Sequence, residues 1–330
     1  MNIAIAFNEK FIRYGYVLIT SIFENHPDDE ITIYILHRSI PDEALICFKE
    51  LCAKYSGKSV CTLAVGEDVI PSVFPSSSKW TVETYFRLAL PYITDIDRIL
   101  YLDTDITVLG DLKPLYYASF SENALLAGAI DNSDGNLSEQ QRDFFKDVLN
   151  EPNFHYINAG VLLMDLEKLR KDYRLEDIID FIVANSAKLP AFDQDTINYM
   201  FRGRIDYISS ERFNFFARLY HNSGYDRERV CKSGTTIIHY SGPKPWSGKS
   251  LKTDIDGFWW DYARLTPYYT QFLEDVISEE ISTGFENTNE FKYQLYLRQQ
   301  LEAEIERLRS KEREYLGIIA DSRKLLEKMT

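Results

Sequence analysis

Apolar residues along the chain fall into short continuous runs that alternate with stretches of helical spacing. Residues 2–7 (NIAIAF) form a buried-strand run, and residues 14–26 follow with apolar positions on a helical repeat at Val17, Ile19 and Ile22. Residues 31–37 (ITIYILH) predict the next strand. Residues 41–55 predict a helix, with Pro41 at its first turn and Leu45, Phe48, Leu51 and Cys52 on one face, and residues 59–65 predict a third strand. This β-α-β-α-β order predicts an α/β fold with a mostly parallel sheet covered by helices on both faces. Such sheets bind ligands at the carboxyl ends of their strands.

The alternation continues. Residues 81–93 read as a helix, 98–102 (RILYL) as a strand, 123–131 as a buried strand ending in an acid, and 156–171 as a strand running into a helix. Residues 192–201 (FDQDTINYMF) read as a helix with two acids in its first turn, and 235–242 (TTIIHYSG) as a strand ending in a glycine turn. The polar stretch 132–155 is long for a connection, as functional lids are. Residues 287–330 carry no proline, one glycine and dense Glu, Arg and Lys, with apolar residues at Leu301, Ile305, Leu308, Tyr315, Ile319 and Leu326. That pattern predicts a long charged helix, as a solvated extension or a coiled coil for homo-oligomer formation or docking. No internal repeat is present.

Composition narrows the chemistry. A net charge of −14 over 330 residues excludes nucleic acid as the main partner, because a polyanion requires a basic footprint. A small phosphorylated ligand stays compatible, since a few local cations and a metal suffice. The four cysteines show no C-x-x-C spacing, which fits a reducing, cytoplasmic setting. The N-terminal residues lack a secretory pattern, and no run of 18 apolar residues occurs. Aromatic residues make up 14% of the chain, enough for stacking surfaces as well as core.

The sharpest local feature is RILYLDTDITVLGDL, residues 98–112. Read as D-x-D-x-T over Asp103, Asp105 and Thr107, it matches a phosphohydrolase nucleophile motif. Read as D-x-D, it is a metal clamp. Carboxylates two apart on a strand lie about 7 Å apart and converge poorly, so the strand should end at Leu102 and residues 103–105 should turn. Two adjacent acids then repel unless a cation supports them. Hard oxygens favour Mg²⁺ or Mn²⁺, and a histidine in the set tilts the choice to Mn²⁺. Several strand-like runs precede Asp103, whereas a nucleophile motif of that type opens its domain.

Residues 2–21, TYFRLALPYI with RILYLDTDITVLGDLKPLY, GAIDN, YINAGVLLMDLEKLR, FDQDTINYMF and HYSGPKPW occur in this order, and together they carry a resemblance. Across about residues 2–248 the chain resembles the retaining glycosyltransferases of family 8, the group of glycogenin and bacterial lipooligosaccharide galactosyl- and glucosyltransferases. The resemblance implies a GT-A type nucleotide-sugar-binding fold, a divalent metal (Mn²⁺ or Mg²⁺), and hexose transfer from UDP-glucose or UDP-galactose with retention. The acceptor it implies is a glycan or glycolipid in cell-surface polysaccharide or lipopolysaccharide assembly.

By the same resemblance Asp103, Asp105 and His239 match the metal ligands, with Asp103 also near the ribose. Ala6 and Asn8 match the uridine pocket, Arg87 the arginine near the diphosphate and sugar, and Gly242 and Lys244 the diphosphate loop. Asp131, Asn158, Asp193 and Gln194 match positions around the donor sugar, with Gln194, Asp193 and Asp131 as the catalytic candidates. Two departures stand out. Asn8 occupies a position where the family often has an acid, and one residue rather than two separates Gly242 from Lys244.

The expected division is a catalytic domain over residues 1–250, an aromatic-rich segment over 251–286 that packs on the core or apposes a membrane, and the charged helix. Residues 132–155 and 212–230 are the expected acceptor walls. A sugar-nucleotide-binding protein without turnover and the phosphohydrolase remain the alternatives.

Overall fold

A computed structural model describes residues 1–76, 81–131, 138–147, 154–220, 226–248, 253–283 and 315. Two compact units are distinguished, Met1–Phe272 and Leu273–Thr330, and the site lies wholly in the first. The charged segment 287–330 lies outside the described residues apart from Tyr315.

The first unit is built on a seven-stranded sheet. Its strands are β1 (Asn2–Ala6), β2 (Ile31–His37), β3 (Lys58–Ala64), β4 (Arg98–Leu102), β6 (Leu126–Ile130), β7 (Ile157–Asp165) and β8 (Ile205–Ile208). Their order across the sheet is β3-β2-β1-β4-β7-β6-β8. β7 runs antiparallel to β4 and β6, and every other pairing is parallel. The reversal of order falls between β1 and β4, so a crevice opens where their carboxyl ends diverge. A second sheet of β5 (Ile106–Val108), β10 (Ile237–His239) and β9 (Phe215–Phe216) stands beyond that end.

Helices cover both faces of the main sheet, as the alternation predicts. The helix Ile12–Glu24 buries Val17, Leu18, Ile19, Ile22 and Phe23, and Asp42–Cys52 buries Leu45, Phe48, Leu51 and Cys52. On the other face Phe86–Ile93 packs with Ile99, Tyr101, Leu162 and Met164. Residues 82–85, read as part of that helix, form a tighter 3-10 turn. Pro41 caps the second helix from outside rather than sitting in its first turn.

The antiparallel direction of β7 and the small second sheet are the two features that alternation alone does not give. β7 is buried on both faces, with a continuous apolar run from Val161 to Met164, which is also how a parallel central strand reads. β5 and β9, three and two residues long, are too short for a periodicity signal, whereas β10 falls inside the strand expected over 235–242. The aromatic segment is partly a helix, Asp256–Ala263, whose Trp259 is completely buried with Val17, Phe215, Val230 and Tyr240. Among the described residues no helix is long and apolar enough to cross a membrane.

Candidate active site

The crevice beyond β1 and β4 is a cavity of about 770 Å³. β4 ends at Leu102, and residues 103–105 leave the sheet in a turn before β5 begins. Backbone ladders bring its distant parts together. The Asp103 N–H donates to the Gly160 carbonyl at 2.9 Å, extending the β4–β7 pairing by one step. The Tyr240 N–H donates to the Asp105 carbonyl at 2.9 Å, extending the antiparallel pairing of β10 with β5. His239, in register with Ile106, is thereby set beside Asp105.

One ligand atom each from Asp103, Asp105 and His239 lies within 4.8 Å of the other two. Nε2 of His239 is 3.2 Å from Asp105 Oδ1. Lys244 Nζ pairs with Asp105 Oδ2 and donates to the Tyr240 carbonyl at 2.8 Å, so the lysine reaches the cluster across the short Gly242–Lys244 spacing. Burial works to raise the pKa of Asp105, but Lys244 and His239 outweigh it and hold the carboxyl well below the usual carboxylate range. Gly160 completes the pocket floor. A Cβ there would lie 2.4 Å from His239 Cε1 and 2.8 Å from Asp103 Oδ2, so only glycine leaves these two side chains their space. Two carboxylates and an imidazole around such a floor fit Mn²⁺ or Mg²⁺.

His26, Asp29 and Asp111 form a second cluster of metal-ligating side chains. Both nitrogens of His26 are committed, Nδ1 to the Ile22 carbonyl at 2.8 Å and Nε2 to the Leu112 N–H at 2.9 Å. This histidine fastens the loop after β5 to the first helix.

Arg87 lines the cavity wall, its guanidinium buried among carboxylates. Its guanidinium donates to Asp103 Oδ1 at 2.8 Å, lies 3.0 Å from Asp193 Oδ2 through Nε, and also bonds the Thr84 and Ala159 carbonyls. Asp193 receives the Thr84 hydroxyl at 2.5 Å, and burial pushes its pKa up to about 6 against the opposing charge of Arg87. It opens the helix Phe192–Met200, immediately after Phe192, whose φ of 50° is left-handed. Asp195 steadies that turn by accepting the Ala191 N–H at 2.7 Å.

Gln194 faces the cavity between Asp131 and Asn158. Its Oε1 accepts from Asn158 Nδ2 at 3.1 Å and from the Ala159 N–H at 3.0 Å, and its Nε2 donates to Asp131 Oδ2 at 3.1 Å. Ala6, Asn8, Gly242 and Lys244 line the cavity with the acids. Asn8 caps the short turn after β1, its side chain accepting the Lys10 N–H at 3.2 Å. Gly242 has φ of 108°, and a Cβ there would press on Arg218 Cδ at 3.2 Å.

The cavity therefore draws together Ala6, Asn8, Arg87, Asp103, Asp105, Asp131, Asn158, Asp193, Gln194, His239, Gly242 and Lys244. Thr107 is not among its lining residues; it is fully buried in β5 opposite Ile238. Sequence reading missed Asn214, Gly160 and Arg218. Asn214 fell inside a segment expected to wall the acceptor, yet it is buried and its Oδ1 lies 2.8 Å from His239 Nδ1. Gly160 carried a signal, a glycine inside an otherwise apolar strand, which marks close approach. Of the expected lid, residues 132–137 and 148–153 lie outside the described residues, and the part between holds the helix Glu139–Phe145, capped by Ser138. Residues 221–225 of the second expected wall also lie outside them.

Known proteins resemble this chain in sequence and in fold. A lipopolysaccharide 1,2-glucosyltransferase of Escherichia coli is 28% identical over 268 residues, 78% of this chain and 76% of that protein. A lipopolysaccharide 1,3-galactosyltransferase of Salmonella typhimurium is 25% identical over 74% of this chain and 72% of its own length. Among solved structures, the galactosyltransferase LgtC, in complex with donor and acceptor sugar analogues, superposes with a TM-score of 0.64 at 25% identity, covering 81% of this chain and 96% of that one. GlyE of Streptococcus pneumoniae shares the fold, with a TM-score of 0.59 at 20% identity over 84% of this chain and 64% of that one. The sequence model of Glycosyl transferase family 8 matches residues 2–250, and the chain belongs to that family.

Proposed function

We propose that this protein is a metal-dependent, retaining hexosyltransferase that moves glucose or galactose from a UDP-sugar to a glycan or glycolipid acceptor in bacterial surface polysaccharide or lipopolysaccharide assembly. One observation carries the reading: Asp103, Asp105 and His239 converge beside Lys244 at the switch point, with Asp131, Asn158 and Gln194 across the same cavity. The lipopolysaccharide relatives support the acceptor class.

Asp103, Asp105 and His239 would hold the divalent ion, which when bound supplies Lewis-acid stabilisation of the departing diphosphate. Ala6 and Asn8, at the end of β1, would receive the uridine. Lys244 adds positive charge where the leaving group develops its negative charge, so no protonated general acid is required. The sugar would lie toward Gln194 and Asp131. Gln194 is held by three hydrogen bonds and carries an amide, a poor nucleophile, while Asp193 is turned into its pair with Arg87. This favours attack by the acceptor hydroxyl on the face the leaving group vacates. The departing phosphate takes the proton, and the Gln194 and Asp131 oxygens stabilise the cationic sugar.

A UDP-release assay with UDP-glucose and UDP-galactose, run with Mn²⁺ and with EDTA, with and without glycan acceptors, tests the function. Metal-dependent release from one donor is the expected result. Thermal stabilisation by UDP and Mn²⁺ with no release under any condition would instead identify a binding protein. A covalent glycosyl adduct trapped on Asp131 or Asp193 of the unmutated enzyme would overturn same-face attack.

A further inference from the structure

Five side chains form one hydrogen-bonded chain across the site, in the order His239, Asn214, Asn158, Gln194 and Asp131. The oxygen and nitrogen of an amide have the same shape, so their places follow from the partners. Here two backbone N–H groups settle them. The Gly160 N–H donates to one Asn158 atom at 2.9 Å, which must be Oδ1. The Ala159 N–H donates to one Gln194 atom at 3.0 Å, which must be Oε1. Asn158 Oδ1 also meets Asn214 at 3.0 Å, so Asn214 presents Nδ2 there and turns Oδ1 to His239 Nδ1, 2.8 Å away. An amide oxygen only accepts, so Nδ1 carries the hydrogen.

The remaining links run the same way. Asn158 Nδ2 donates to Gln194, and Gln194 Nε2 donates to the Asp131 carboxylate. Every donor in the series points from His239 toward Asp131, an alignment in which successive hydrogen bonds polarise one another. Reversing Asn214 would set oxygen against oxygen at Asn158. Asn214 is 1% exposed, Asn158 8% and His239 3%, so water cannot relieve such a mismatch cheaply.

We propose that this relay is a positioning device for the metal site, with Asn214 as its positioning residue. It keeps a hydrogen on His239 Nδ1, facing Asn214, and leaves Nε2, 3.2 Å from Asp105 Oδ1, as the ring nitrogen that would meet the ion. The proposal rests on reading Asp103, Asp105 and His239 as metal ligands. It gives Asn214 the place that a carboxylate or backbone carbonyl takes beside many metal-bound histidines. It also makes the metal side and the Gln194–Asp131 side of the cavity one hydrogen-bonded unit.

The test uses the full chain. Long-range ¹H–¹⁵N correlation on metal-free, histidine-labelled protein reads whether Nδ1 carries hydrogen, and a His239→Gln variant assigns the signal among the five histidines. Hydrogen on Nδ1 is expected, whether or not Asp105 also keeps one on Nε2; a bare Nδ1 overturns the proposal. Mn²⁺ titration followed by electron paramagnetic resonance then compares variants. Asn214→Leu should lose roughly 10–100-fold in Mn²⁺ affinity. Asn214→Asp, which keeps an acceptor for Nδ1–H but sets oxygen against oxygen at Asn158, should recover part of it. Asn214→Leu binding Mn²⁺ within twofold of wild type overturns the proposal. If Asn214→Leu does not fold, the tautomer of the unmutated chain still decides. No Mn²⁺ binding by the unmutated chain would overturn the metal reading itself, while the tautomer measurement would still decide the direction of the relay.

Discussion

Arg87 donates to Asp103 Oδ1 at 2.8 Å from a position that is itself 4% exposed. The same guanidinium contacts Asp193, so one buried cation orients an acid of the metal-type cluster and an acid at the start of a cavity-lining helix. This is a structural commitment. Removing one partner of a buried ion pair leaves uncompensated charge, which costs about 3–5 kcal/mol. Arg87→Met should lose stability of that order in urea denaturation. An unchanged denaturation midpoint would show that the pairing contributes nothing.

Gly160 sits where any Cβ would meet His239 and Asp103. Gly160→Ala should therefore weaken Mn²⁺ binding by about tenfold or more, since displaced ligands cost at least as much as disturbed partners behind them. Calorimetric titration with Mn²⁺ reads this directly. Binding within twofold of wild type would mean the three side chains do not share an ion.

Asp193 gives the protein a pH signature. Its folded pKa of about 6 lies above the ordinary value near 3.9, so the folded state binds the proton more tightly. The contribution of this group to stability is full at low pH and is lost as pH rises through about 6. Between about pH 4.5 and 7.5, wild type should lose about 2 kcal/mol relative to Asp193→Asn in denaturation experiments. A pH-independent difference would mean that Asp193 titrates normally.

Thr107 separates the transferase from the phosphohydrolase reading. Its side chain is buried in β5, away from the cavity lining. Thr107→Val, nearly the same in volume, should keep UDP-sugar turnover within about twofold, because the change lies outside the reacting groups. Loss of turnover with an unchanged melting temperature would return the D-x-D-x-T motif to consideration.

The sequence by itself determined the sheet and its helices, because burial on two faces writes continuous apolar runs and one-sided burial writes a 3.6-residue repeat. It also placed the turn after Leu102, since an apolar strand cannot carry two converging carboxylates. The ordered motifs marked which side chains to bring together. Only the tertiary structure decided how they work. The direction of β7 is invisible in a strand buried on both faces, yet that direction brings Asn158 and Gly160 to the carboxyl end of β4. β10 falls inside an expected strand, but its pairing with β5 and β9, which delivers His239 and sets Asn214 beside it, joins distant segments and leaves no local signal. Arg87 reads alike in sequence whether it meets a phosphate or two carboxylates. Its partners are chosen by packing, and here they are Asp103 and Asp193.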